Sequence, residues 1–143
     1  MSGGRLLLLG GVGALVAAQL IRIETTNPPV SGNVAAPAAI DRLLRRACYD
    51  CHSHETAWPW YSQVAPVSWL TVHDVHEGRH ELNFSTWDTL PEEQRRKRMK
   101  ESAEEIRAGE MPPWSYRLMH PEARLSPTEQ NALIQWVTEQ AAH

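Results

Sequence analysis

The apolar and polar positions along the chain divide it into three parts. Residues 6–21, LLLLGGVGALVAAQLI, carry Gln19 as the only polar side chain and lie between Arg5 and Arg22. A helix over these residues would be about 24 Å long, against about 30 Å for the hydrocarbon core of a bilayer. The apolar run continues past a small-residue cleavage site at residues 16–18. We therefore predict that residues 1–23 form an uncleaved signal anchor or transmembrane helix with a cytoplasmic N-terminus; a cleaved signal peptide is the alternative.

A polar segment that contains proline separates this run from the rest of the chain. Residues 24–37, ETTNPPVSGNVAAP, predict an extended tether that lifts the following domain off a membrane. In residues 38–143, apolar side chains recur at helical spacing, and no segment keeps the alternation that is typical of a strand. We therefore predict one all-α domain over residues 38–143.

Four helices are predicted in this domain from apolar stripes and from residues that start or stop a helix. They cover residues 38–51, 66–77, 91–108 and 127 onward. Gly78 is expected to end the second helix, and Ser126 and Glu129 are expected to form a capping box at the start of the last. The predicted inner face of the second helix comprises Trp69, Val72, His73 and His76. That of the last helix comprises Leu133, Trp136, Val137 and Gln140.

Composition and charge narrow the class of protein. The chain has 143 residues, 42% of them hydrophobic, and a formal net charge of -3, which is typical of a folded domain. The densest cationic run, residues 95–98, is followed by Glu101, Glu104 and Glu105, so we expect a solvated helix face and no nucleic-acid partner. Six tryptophans against one phenylalanine suit a domain that encloses a flat, partly polar group, or they fill a small core.

The densest candidate chemistry is CYDCH, residues 48–52, which contains both cysteines of the chain. A zinc site would need four converging ligands, and no second cysteine pair is present. A thioredoxin-like redox pair belongs at a strand-to-helix junction, which is not predicted, and a structural disulfide would close a very small loop. The C-x-x-C-H spacing is that of haem c attachment, in which Cys48 and Cys51 form thioethers and His52 binds the iron. We favour one covalently attached haem c.

A haem that carries electrons needs a second axial ligand, commonly Met or His. Met111 in GEMPPWSY, residues 109–116, is our candidate, because two prolines stiffen its loop and Trp114 is positioned to shield the haem. A buried apolar role for Met111 is the alternative. The rival ligands are His73, His76, His80, Met119 and His120.

Further cofactor contacts are predicted in the residues that follow the motif. We expect Trp58, Trp60 and Tyr61 to wall the pocket or to donate hydrogen bonds to a propionate, although plain core packing would explain them as well. Arg79 is a candidate for a charge-assisted contact with a propionate, and exposure to solvent at a helix end is the alternative.

Taken together, these motifs resemble a class I monohaem cytochrome c, and more closely the bacterial haem-binding domain family. The resemblance covers nearly the whole chain. It rests on the motifs NPP at residues 27–29, CYDCHS at 48–53, WPWYSQVAPVSW at 58–69, GRHELNFSTW at 78–87 and GEMPP at 109–113. It implies a cytochrome c-like domain at the periplasmic face of a membrane, but no particular reaction. His54 departs from the pattern, which has a small polar residue there.

The resulting functional hypothesis is one-electron transfer. We expect a c-type cytochrome on the bacterial inner membrane with its haem domain in the periplasm, acting as a carrier or as a haem subunit of a respiratory or photosynthetic complex. The negative net charge would suit a redox partner with a basic docking patch. One alternative is a haem enzyme or a gas or redox sensor with an open sixth iron position. Another is a non-redox interaction module.

Overall fold

The computed structural model describes residues 3–142, and these residues contain helices and no strand. The predicted all-α class is therefore confirmed. The α-helices are α1 (Gly3–Ala18), α2 (Ala38–Ala47), α3 (Tyr49–His52), α4 (Val67–Glu81), α5 (Glu92–Ala108), α6 (Trp114–Met119) and α7 (Pro127–Ala142). Short 3-10 helices cover Trp60–Gln63, Phe84–Thr89 and Pro121–Ala123. The outer ends of the predicted segments 1–23 and 38–143 lie outside the described residues.

The core forms where α5 and α7 pack along each other and α2 crosses α7. Met99 of α5 and Leu133 of α7 are almost fully buried. The core cluster comprises Val34, Ile40, Leu44, Tyr49, Phe84, Trp87, Met99, Ala103, Leu133, Trp136 and Val137. Gln140, by contrast, is exposed, so its predicted inward position is wrong. Of the residues predicted for the inner face of α7, Val137 is the last that is buried.

The predicted capping box at the start of α7 is confirmed. The backbone N–H of Ser126 donates to Glu129 Oε2 at 2.8 Å, and the backbone N–H of Glu129 donates to Ser126 Oγ at 3.3 Å. The reciprocal pair satisfies backbone donors that a helix start leaves free. Local sequence therefore fixes where the last helix begins.

The N-terminal helix requires a correction. Helix α1 has 16 residues, or about 24 Å at 1.5 Å per residue, and among residues 3–142 no helix is long and apolar enough to cross a membrane. It ends at Ala18, after which the Gln19 side chain donates to Ala65 O and accepts from Ala65 N–H, both at 3.0 Å. The predicted helix over residues 1–23 therefore stops early: α1 ends at Ala18, and Gln19 contacts the following domain.

The predicted tether, residues 24–37, also differs from expectation. Its backbone is extended, but it lies against the domain rather than free of it. Ser31 N–H and Gly32 N–H both donate to Ser85 O at 2.9 Å, and Val34 is 5% exposed within the core. These contacts make it a packed strap, so a role as a flexible spacer is not supported by its contacts.

Helix α4 is longer than predicted, because Gly78 lies inside it rather than at its end. The buried residues of α4 are Ser68, Val72 and Val75, whereas His73 and His76 are exposed. The predicted inner face was therefore wrong for the two histidines. The predicted first helix is also divided, since Cys48 separates α2 from α3 with φ -128° and ψ -36°.

Candidate functional site

A cavity of about 530 Å³ opens between α3, α4 and the chain that follows α5. This volume lies within the range of small-molecule and cofactor sites. Cys48, Cys51, His52 and Met111 all line it. Among the other residues in its wall are Val75, Ile106, Leu125 and Leu133. The structure therefore brings together the four residues that the sequence singled out as haem ligands and attachment points, within a largely apolar wall.

The two cysteines of the motif are free thiols in the structure. Burial, and secondarily the charge of Cys51, raises the pKa of Cys48 to about 12. Burial, followed by the nearby charge of Asp50, raises the pKa of Cys51 to about 12. Both thiols are thus neutral at ordinary pH. Within residues 3–142, no group of three or more His, Cys, Asp or Glu side chains is arranged to hold a metal ion.

The orientation of His52 suits a metal ligand. Its Nδ1 lies 2.8 Å from Gly78 O and 3.0 Å from Leu82 O. Both partners are acceptors, so Nδ1 carries the proton and Nε2 keeps its lone pair. Burial is the main cause that lowers the pKa of His52, which favours the neutral ring. A carbonyl that binds the second ring nitrogen is the usual way in which a metal-binding histidine is held.

Gly78 makes this arrangement possible because it lets α4 approach the motif closely. A Cβ atom at position 78 would lie 2.6 Å from Cys51 O and 3.0 Å from Cys51 Cβ. Real side chains do not tolerate such contacts, so any other residue would push α4 away. The Gly78 carbonyl would then lose its position at His52.

Met111 is positioned by the end of α5. Gly109, the last cap of that helix, has φ 76°, a left-handed conformation that glycine adopts without strain. The backbone N–H groups of Glu110 and Met111 donate to Glu105 O at 3.1 and 3.4 Å. The loop thus turns back on the helix, and Met111 and both following prolines reach the cavity wall.

A polar group of side chains in the same cavity was not predicted from the sequence. Tyr116 Oη donates to Asp50 Oδ2 at 2.6 Å, and Tyr61 Oη and His120 Nε2 are 2.6 Å apart. The rings of Tyr116 and His120 stack with centroids 4.3 Å apart. Tyr116 lies 66 positions after Asp50, so nothing local pairs them; an acidic residue between the two cysteines was the available signal.

The predicted aromatic wall is found in part. Tyr61 lines the cavity, and burial raises its pKa. Trp60 and Trp114 are 74% and 73% exposed and do not line it. Trp58 also lies outside the lining, where its Nε1–H donates to Asn27 Oδ1 at 3.2 Å. The positions of the three tryptophans therefore correct the expectation that they wall the pocket.

Arg79 does not line the cavity and has protein partners instead. Its guanidinium donates to Ser53 O, Thr26 O, Asn27 Oδ1 and Thr56 Oγ1 at 2.8 to 3.1 Å. These bonds tie the strap to the loop that follows the motif. Arg79 therefore has a structural role, and its contact with a propionate stays a prediction.

Two of the rival ligands share the cavity with Met111. Met119 and His120 line it, whereas His73, His76 and His80 are exposed. His120 already has partners at both ring nitrogens, since its Nδ1 lies 3.0 Å from Glu122 Oε1. Met111 thus has fewer competing contacts than His120.

The comparisons with known proteins agree with this site. Among protein-family models, that of the haem-binding domain matches residues 13–139. No curated protein and no solved structure matches the chain. The match covers the strap, the motif, α4 and the Met111 loop, and the donor set fits the group that the family binds: two thiols, a neutral imidazole and a thioether around an apolar cavity.

Proposed function

The chain belongs to the haem-binding domain family, and from that premise we propose that it is a c-type cytochrome that transfers one electron at a time. The observation that carries the proposal is that Cys48, Cys51, His52 and Met111 line one cavity of about 530 Å³. Cys48 and Cys51 would hold one haem c, each thiol through a thioether to a vinyl group, and His52 Nε2 and Met111 Sδ would bind its iron.

The residues around the cavity suit this role. When bound, haem supplies an iron that accepts and releases a single electron. The Gly78 and Leu82 carbonyls hold His52 in the tautomer that leaves Nε2 free to bind. A soft, neutral thioether from Met111 favours the reduced iron and raises the potential relative to a second histidine.

We also propose where the protein acts. Haem c is attached outside the cytoplasm, so residues 1–23 direct the chain to export and the domain works in the bacterial periplasm, at the face of the inner membrane. Its partner is a redox protein or a respiratory or photosynthetic complex. Asp74, Glu77 and Glu81 at the cavity and the net charge of -3 favour a partner with a basic docking surface.

A visible spectrum of the full chain, produced in a bacterium that matures haem c, tests the proposal. We expect a low-spin ferric spectrum with a weak thioether band at its red end, and haem that stays with the chain under denaturing conditions. A high-spin ferric spectrum that changes rapidly with added cyanide would contradict Met111 as a ligand.

A second candidate function is a haem enzyme or sensor with an open sixth position. The observation that favours it is the polar group of Tyr61, Tyr116 and His120 in the same cavity, since such side chains can bind a small ligand or move a proton. The same spectrum separates the two candidates. Fast binding of CO by the reduced protein, without displacement of a thioether, would support the second.

A further inference from the structure

The chain that carries Met111 crosses the cavity as an arm, residues 111–123, which comprises the loop after α5, helix α6 and the 3-10 helix Pro121–Ala123. Its two ends are well held. At one end, Met111 N–H donates to Glu105 O, and at the other Ala123 is fully buried. Between them, none of the residues of α6 is buried. Apolar packing therefore does not hold the middle of the arm.

Two side-chain hydrogen bonds hold it instead. Tyr116 Oη donates to Asp50 Oδ2 at 2.6 Å, and Tyr61 Oη pairs with His120 Nε2 at 2.6 Å. Both join the arm to chain that precedes α4, and the stacked rings of Tyr116 and His120 link one bond to the other. We propose that Tyr116 and His120 form a clasp that positions Met111, an inference that rests on the proposed role of Met111 as iron ligand.

The acceptor of the first bond is rigid. Asp50 lies between the two cysteines, and its Oδ1 accepts a hydrogen bond from Ala57 N–H at 2.9 Å. The Asp50 carbonyl also accepts from Thr56 Oγ1 at 2.7 Å. Its second carboxylate oxygen is thus fixed in the direction of Tyr116. The clasp is anchored in the same turn that carries the haem attachment points, so arm and motif keep a set separation.

The direction of the second bond follows from the partners of His120. Glu122 Oε1 accepts from Nδ1 at 3.0 Å, and in the neutral ring this leaves Nε2 as the acceptor for the Tyr61 hydroxyl. The partner of Tyr61 is thus an imidazole, whereas Tyr116 donates to a carboxylate. Bonds to a charged group contribute more, so Tyr116 is expected to be the stronger half of the clasp.

The test is an imidazole titration of the full-length holoprotein. Loss of the thioether band measures the affinity with which imidazole replaces Met111. Tyr116→Phe should raise the affinity for imidazole about ten- to hundredfold. Tyr61→Phe should raise it less, about two- to tenfold. The control is Thr138→Val, which removes another side-chain hydrogen bond between two helices, from Arg107 Nη2 to Thr138 Oγ1 at 3.0 Å. Neither residue lines the cavity, so this variant should leave the affinity unchanged.

The outcomes separate the clasp from the proposed function. If Tyr116→Phe lowers the unfolding midpoint but leaves imidazole affinity unchanged, the clasp does not position Met111 and the inference fails. If the parent protein has no thioether band, the proposed function fails. The clasp is then judged by amide hydrogen exchange over residues 114–119, which Tyr116→Phe should accelerate at least tenfold and Thr138→Val should not. Equal exchange in all three proteins would overturn it.

Discussion

The two regions that meet at the cavity are held by different kinds of contact. The motif, residues 48–52, lies so close to α4 that a Cβ atom at position 78 would be 2.6 Å from Cys51 O, and the Gly78 carbonyl accepts a hydrogen bond from His52 Nδ1 at 2.8 Å. Tyr49 within the motif is 2% exposed and stacks on Phe84 with centroids 5.1 Å apart. The arm that carries Met111 has no buried residue in α6, and two side-chain hydrogen bonds join it to the chain that precedes α4.

This difference in contacts predicts which side of the cavity can open locally and which cannot. Close packing and backbone contacts are lost only when a larger part of the domain opens, whereas two polar contacts at an exposed helix can break locally. We call the motif packed on α4 the histidine side of the cavity and the arm, residues 111–123, the methionine side. We therefore expect the structure of the histidine side to be fixed and that of the methionine side to be adjustable. Substitutions on the first should affect attachment and folding, and those on the second should affect the spectrum and the potential.

The largest effect is expected from removal of the thiols. The double substitution Cys48→Ala/Cys51→Ala should abolish covalent haem, because both sulfur atoms that are proposed to form thioethers are gone. Haem staining after denaturing electrophoresis measures this. The control is Met111→Ala, which should retain its covalent haem. Stained haem in the double variant would mean that another residue makes the covalent bond.

Gly78→Ala should damage the histidine side. The new Cβ would lie 2.6 Å from Cys51 O, so α4 must shift and the bond from His52 to the Gly78 carbonyl must lengthen. Overpacking of this kind costs about 1–3 kcal/mol of unfolding free energy, which denaturant unfolding measures. Gly13→Ala is the control, because nothing lies within 4 Å of its Cβ position. Equal stability of both variants would show that α4 is not held as closely as described.

Met111→Ala should change the methionine side while the domain stays folded. Without the thioether, the sixth position opens and the reduced iron loses its preferred ligand, so the potential should fall. Axial ligands move haem potentials over about 0.8 V in total, and we expect a decrease on the order of 0.1 V. Redox titration measures it, with Met119→Ala as control. If the potential falls in Met119→Ala and not in Met111→Ala, Met119 and not Met111 is the iron ligand.

The same division explains what the sequence could predict. The C-x-x-C-H spacing and the Gly-x-Met-Pro-Pro loop are local patterns, so the sequence alone singles out their residues. In the structure, residues of both patterns line the same cavity. Tyr116 and Asp50 could not be paired, because 66 positions separate them and the contact exists only after the arm folds over the motif.

The errors have a related cause. His73 and Val72 are neighbours on α4, and a helical period alone did not separate the buried residue from the exposed one. The sequence predicts a helix stop at Gly78, because a glycine is equally compatible with a helix end and with a close contact inside a helix. Which of the two applies depends on Cys51, which no local pattern brings near it.

The smallest effect is expected from the contact between Glu129 and Arg46, and it tests whether the arm can open without unfolding of the whole domain. Glu129 joins α7 to α2 through Arg46 Nη2 at 2.6 Å, away from the cavity. A backbone hydrogen bond from Ser126 and then the bond from Arg46 lower the pKa of Glu129 to about 2. A depressed pKa in the folded state means that this contribution to stability is complete above the ordinary value of about 4.3 and is lost as pH falls toward 2.

Urea unfolding of Glu129→Gln and of the parent protein tests this dependence. The parent should have a slightly higher midpoint at pH 6, and the difference should shrink between about pH 4.3 and pH 2. Glu104→Gln, at an exposed position on α5, serves as the control. Because imidazole binding at pH 6 does not involve Glu129, its affinity should be equal in the Glu129→Gln and parent proteins. A variant that bound imidazole more tightly would mean that the arm opens together with the α2–α7 contact, and the two sides of the cavity would then not be independent.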